Sequence, residues 1–102
     1  MYKHEELKEG IVHSYTHKDR VVAVVELRCK TDFAARTDEF KTLAHEIAMQ
    51  IAATSPSCAE DLLEQPWIKD GSKTVADLMA EVQLAIQEPV SLANLVRMEL
   101  GA

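Results

Sequence analysis

From Ile11 to Thr16 the chain alternates: Ile11, His13 and Tyr15 would face one side of a strand, and Val12, Ser14 and Thr16 the other. Arg20–Arg28 is β-branched and apolar on both faces, carrying Val21, Val22, Ala23, Val24, Val25 and Leu27. His17-Lys18-Asp19 joins the two segments, which is hairpin length without the Asn-Gly or Asp-Gly pair of a tight turn. The pattern predicts an antiparallel hairpin whose second strand is central, because that strand is apolar on both faces.

The period then becomes helical. Phe40, Leu43, Ala44, Ile47, Ala48, Ile51 and Ala52 share one face, with Lys41, Glu46 and Gln50 off it. Thr37 is the expected N-cap, Asp38 and Glu39 suit the positive end of the helix dipole, and Thr54-Ser55-Pro56 is the stop. A second cap signal at Thr31 predicts a separate short turn over Asp32–Arg36. Ser57 with Glu60 reads as a capping box opening a helix over Cys58–Glu64, which Gln65-Pro66 ends. Trp67-Ile68 reads as an apolar patch in a loop, and Asp70-Gly71-Ser72 as a turn.

Thr74 and Asp77 form another capping pair before the stripe Val75, Leu78, Met79, Val82, Ala85 and Ile86, which Pro89 closes. Val90–Leu100 suits a last strand, with Leu92, Asn94, Val96 and Met98 on one face and Ala93, Leu95 and Arg97 on the other. Lys3–Glu9 suits a turn or two of helix that Gly10 breaks. The predicted class is α+β: a small antiparallel sheet, hairpin plus C-terminal strand, with two main helices packed on one face.

Composition narrows the function. At 102 residues there is room for one domain, and 47% apolar residues suit a folded core. Lys and Arg total 11 against 17 Asp and Glu, a net charge of −6, which argues against direct nucleic-acid binding and fits a basic partner surface. Cys29 and Cys58 form neither a disulfide framework nor a zinc spacing. The longest apolar run, Val21–Val25, is too short to span a membrane, and the N-terminus lacks an apolar signal core. A cytoplasmic location is expected.

Catalytic patterns are equally sparse. His45-Glu46 would need a second His four residues on to hold zinc, and that position is Met49. His13 and His17 lie on or beside one strand without a third ligand. Three glycines build no phosphate loop, and no Ser or Cys sits in a nucleophile elbow. Acidic residues are scattered, with no pair suited to acid–base work. The expectation is a protein that is not an enzyme and uses neither metal nor cofactor.

One residue stands out. Phe33 occupies a strand-to-helix corner, where polar residues are usual. It lies seven residues before Phe40, so it could simply extend the apolar stripe, and spacing alone favours that reading. The other reading is an exposed aromatic wedge of the kind that anchors small protein interfaces, with Asp32 meeting a partner cation or helix N-terminus.

Five segments together resemble a family. Gly10-Ile11-Val12-His13-Ser14-Tyr15, Val25 through Phe33, Ile47 through Ala53, Gln65 through Asp70 with Ser72 through Val75, and Arg97 through Gly101 are similar to the core, or dimerisation, domain of elongation factor Ts. The resemblance runs in order over residues 10–102, leaving residues 1–9 as an N-terminal extension. It implies a guanine-nucleotide exchange factor for elongation factor Tu. In that family a Thr-Asp-Phe motif inserts its aromatic ring near the magnesium site of the GTPase, and GDP leaves. The partner-binding residues it implies here are Thr31, Asp32, Phe33, Ala34 and Arg36, with Asp32 and Phe33 the working pair and Thr31 shaping the corner.

The chain also differs from the usual pattern. With nine residues before Gly10, the family's small N-terminal helical domain is expected to be missing from this sequence, and Thr54–Glu64 stands where many members carry a long helical insertion. Glycines common in the hairpin turn are missing at Lys18-Asp19, and the basic pair and aromatics of the last strand give way to Ala93-Asn94, Leu95 and Met98. A dimeric binding module or adaptor that captures a Tu-type GTPase without exchange is the alternative, and a small enzyme with a histidine site on the hairpin is the third reading. The apolar last strand further predicts a homodimer through the sheet.

Overall fold

A computed structural model describes residues 6–102. Strands β1 (Glu9–His17) and β2 (Val21–Cys29) form the hairpin, and β5 (Ser91–Glu99) pairs antiparallel with the other edge of β2. The sheet order β1-β2-β5 puts the doubly apolar strand at the centre, as its pattern predicts. Between β2 and β5 come α1 (Asp32–Ala35), α2 (Asp38–Thr54), α3 (Ala59–Glu64), a ribbon of β3 (Pro66–Trp67) and β4 (Asp70–Thr74), and α4 (Val75–Ile86). The architecture is α+β. Helix α2 lies across β1 and β2 with α4 beside it, and among the described residues no helix covers the opposite face of the sheet.

The core joins Ala23, Val25, Leu27 and Cys29 of β2 to Phe40, Leu43, Ala44, Ile47, Ala48 and Ile51 of α2. Leu62 of α3 and Val75, Leu78 and Met79 of α4 complete it. The predicted caps at Thr31, Thr37 and Thr74 hold. Thr37 Oγ1 accepts Phe40 N–H at 3.2 Å, while Thr74 and Asp77 form a full capping box at 3.1 and 2.9 Å. At α3 the cap is Cys58, whose Sγ accepts Asp61 N–H, whereas Ser57 N–H reaches the Asp61 carboxylate; the expected Ser57–Glu60 box does not form. Gly10 is dictated by close packing, since a Cβ there would lie 2.0 Å from the Leu27 carbonyl oxygen and its φ is +149°.

Three local expectations change. The hairpin turn has both Lys18 (φ 55°) and Asp19 (φ 57°) left-handed, the conformation of a primed turn reached without glycine. Trp67 belongs to a strand, the turn falls at Ile68-Lys69, and Asp70-Gly71-Ser72 lie in β4, because Gln50 ties this ribbon down. That glutamine is 1% exposed rather than off the buried face: its Nε2 donates to Gln65 Oε1 and the Pro66 carbonyl, and its Oε1 accepts Ile68 N–H, all at 3.0 Å.

In β5 the register slips opposite Glu26 and Leu27, so Ala93 is an extra residue and the alternation changes phase. Leu92 therefore shares the inner face with Leu95 and Arg97, and Asn94, Val96 and Met98 turn outward, rather than Leu92 joining that set. Arg97 donates from Nε and Nη2 to the Ala52 carbonyl at 3.2 and 3.1 Å, satisfying the negative end of α2. Of the helix expected at Lys3–Glu9, residues 3–5 lie outside the described residues. Leu7 is not helical and is buried, and Glu9 already belongs to β1.

Candidate functional site

The corner after β2 is built by hydrogen bonds. Buried Cys29 ends the strand, and its thiol donates to the Thr31 carbonyl at 3.3 Å. Burial, then the nearby Glu88 carboxylate, pushes this thiol above its ordinary pKa, so Cys29 stays protonated and serves packing. Thr31 is extended, and its hydroxyl oxygen accepts Ala34 N–H at 3.2 Å, which starts α1. Arg36 closes the turn, and Thr37 Oγ1 donates to the Ala34 carbonyl at 2.8 Å while capping α2.

This tight frame decides where each predicted residue points. Ala34 and Ala35 are 2% exposed and pack into the core, fixing α1 to the sheet. Phe33 is consequently driven to the opposite side and is 85% exposed. The reading of Phe33 as a continuation of the apolar stripe is thereby overturned: α1 and α2 are separate turns, and the break at Thr37 removes the common helical phase. Asp32 and Arg36 flank the ring and pair at 2.8 Å, both exposed, an i,i+4 bridge of modest energy. Thr31, Asp32, Phe33 and Arg36 are thus exposed together at the corner between β2 and α2, with buried Ala34 as an anchor.

A residue absent from the sequence reading joins them. Glu88, in the link from α4 to β5, accepts Lys30 N–H at 3.0 Å and Thr31 N–H at 3.1 Å through Oε1, and the Thr31 hydroxyl at 2.5 Å through Oε2. The only local hint was its place beside Pro89 at the end of a helix stripe.

The histidines meet elsewhere. His13 Nε2 lies 3.0 Å from His45 Nδ1, linking β1 to α2, and Tyr15 OH is 2.9 Å from His17 Nδ1. Burial, followed by the neighbouring His45, lowers the pKa of His13 below its ordinary value, so this imidazole stays neutral near pH 7. Among the described residues, no group of three His, Cys, Asp or Glu side chains is placed to hold a metal ion. None of their helices is long and apolar enough to cross a membrane.

The bare face of the sheet is the second notable surface. Val12 (72% exposed), Val96 and Met98 (70%) project from the two edge strands, with Val22 and Val24 half-buried between them. The register places Ser14, Val24 and Val96 in one row and Thr16, Val22 and Met98 in the next.

Comparison with known proteins shows the family of the chain. A family model described as elongation factor TS matches residues 1–61, a stretch holding β1, β2, the corner and α2. The chain is similar to elongation factor Ts of Thermodesulfovibrio yellowstonii, at 32% identity covering 94% of this chain and 70% of that protein. Elongation factor Ts of Coprothermobacter proteolyticus is 32% identical over 91% of this chain and 71% of its own length. That of Carboxydothermus hydrogenoformans is 34% identical over 91% and 64%. These alignments run over 139 or 140 positions, more than the 102 residues of the chain, so the relatives carry segments without a counterpart here.

Proposed function

The chain belongs to the elongation factor Ts family, and from that membership we propose that it binds a Tu-type GTPase in the cytoplasm and promotes release of GDP. The observation that carries the reading is Phe33, an 85% exposed aromatic ring on a turn whose buried residues are Ala34 and Ala35 and whose ends are tied by hydrogen bonds from Ala34 N–H to Thr31 and from Thr37 to the Ala34 carbonyl. An apolar ring held in water by a rigid mount gains by entering a partner's pocket, with little ordering cost on its own side. Asp32 and Arg36 flank the ring and give the contact polar direction. Insertion near the magnesium site would weaken the grip on nucleotide without making or breaking a covalent bond, so the chain acts by binding rather than as an enzyme. The coupling is reciprocal: a protein that lowers affinity for GDP must itself be bound less tightly when GDP is present.

The test is release of a fluorescent GDP analogue from elongation factor Tu. The wild-type chain should accelerate release, and Phe33→Ala should abolish the acceleration while the Asp32–Arg36 bridge remains. A wild-type chain that binds the GTPase but leaves release unchanged would reduce the protein to a capture module. A chain that does neither would end the proposal.

The outer face of the sheet adds a self-association reading. Its apolar rows resemble half of a sheet-on-sheet core, and a second copy brought face to face by a two-fold axis would cover them. Sedimentation at micromolar concentration should give a dimer mass, and the double variant Val12→Lys, Met98→Glu should give a monomer. A monomeric wild type would exclude this interface.

A further inference from the structure

We propose that Glu88 is a positioning residue that sets the direction of Phe33; the inference rests on the partner-binding reading of that ring. Helix α1 has only four residues, too few to hold an orientation by its own hydrogen bonds. Its direction is set where it starts, at Thr31. The hydroxyl of Thr31 donates its proton to Glu88 Oε2, which leaves its lone pairs for Ala34 N–H at 3.2 Å. Glu88 Oε1 meanwhile holds the amides of Lys30 and Thr31 at 3.0 and 3.1 Å. One carboxylate, 57 residues away in sequence from Thr31, therefore fixes both the backbone path into α1 and the cap that begins it. Hydrogen bonds to an ionised acceptor are the strong kind.

The clamp is itself fixed. Gln87 ends α4 in a left-handed conformation with φ 58°, Pro89 restricts the backbone beyond, and Val90 N–H donates to Gln83 Oε1 at 2.8 Å. Val90 is buried at the edge of the core. Glu88 thus transmits the rigidity of α4 and β5 to the corner, so that the aromatic ring is presented rather than left to search.

The experiment combines amide hydrogen exchange and backbone order at Lys30, Thr31 and Phe33 with GDP release from elongation factor Tu, for wild type, Glu88→Ala and Glu88→Gln. Glu88→Ala removes three hydrogen bonds, so it should stay folded with a lowered melting temperature, lose amide protection at Lys30 and Thr31, disorder the Phe33 backbone and slow stimulated release at least about tenfold, the scale of a single lost charged hydrogen bond. Glu88→Gln keeps an acceptor for the two amides but loses the carboxylate for the hydroxyl, so it should fall between the two in every readout. Adding Glu88→Ala to Phe33→Ala should change release no further. Unchanged order at Phe33 in Glu88→Ala overturns the proposal, as does lost order with the release rate of an active wild type intact. If the wild type does not act on the GTPase, the functional reading fails, and the order of Phe33 alone still decides whether Glu88 positions it.

Discussion

The chain's two phenylalanines lie seven residues apart, and the fold uses them in opposite ways. Phe40 is 0% exposed at the start of α2, packed among the residues that join helix to sheet; Phe33 is 85% exposed. In one continuous helix that spacing would have put both rings on the same face. They differ because Thr37 sits between them with ψ 152°, an extended residue that ends one turn and caps the next. Helical phase does not pass through such a residue, so hydrophobic periodicity predicts burial only within an element whose ends are known. The apolar positions that α1 does bury are Ala34 and Ala35, small enough to let the turn sit close to the sheet.

The sharpest way to break the comparison is to remove the buried ring. Phe40→Ala should destabilise the protein by about 3–5 kcal/mol, because the ring is fully enclosed in the core. Urea or thermal unfolding measures this directly. A loss below about 1 kcal/mol would mean that α2 can shift to fill the space, a plasticity at odds with its packing across β1 and β2.

The residue between the rings comes next. Thr37 Oγ1 both accepts Phe40 N–H and donates to the Ala34 carbonyl, so Thr37→Ala removes the cap of α2 and the tie to α1 together. A loss of about 1–2 kcal/mol in the same unfolding experiment is expected. A melt equal to wild type would assign the break between the two turns to the packing of Ala34 and Ala35 alone.

These local signals explain how much could be read in advance. The hairpin, its central strand, the caps at Thr31 and Thr37, and the Thr74–Asp77 box all lie within a few residues of the elements they define, and all were legible. What escaped depends on partners distant in sequence. Gln50 is buried because a ribbon 15 to 18 residues later supplies its hydrogen bonds. The bulge at Ala93 is visible only against β2, and His45 gains meaning only beside His13, 32 residues earlier. At the site itself, the Thr-Asp-Phe corner could be located from its sequence, but the direction of its ring could not, since Ala34 beneath and Glu88 behind set that direction. Left-handed Lys18 and Asp19 show the same limit in the turn: hairpin length was readable, but a primed geometry without glycine was not.

The smallest expected effect on stability is at the exposed ring, and it completes the comparison. Phe33→Ala should change the unfolding free energy by no more than about 0.5 kcal/mol, the range of an exposed substitution away from any cap or core contact. Alanine is the better helix former, so the change could even be slightly favourable. A variant that melts like wild type yet no longer accelerates GDP release would separate the two roles cleanly: the fold does not depend on the ring, and its contacts lie in the complex. A loss near that of Phe40→Ala would instead mean that in solution the ring folds back against the chain, and the corner would then have no free wedge to offer.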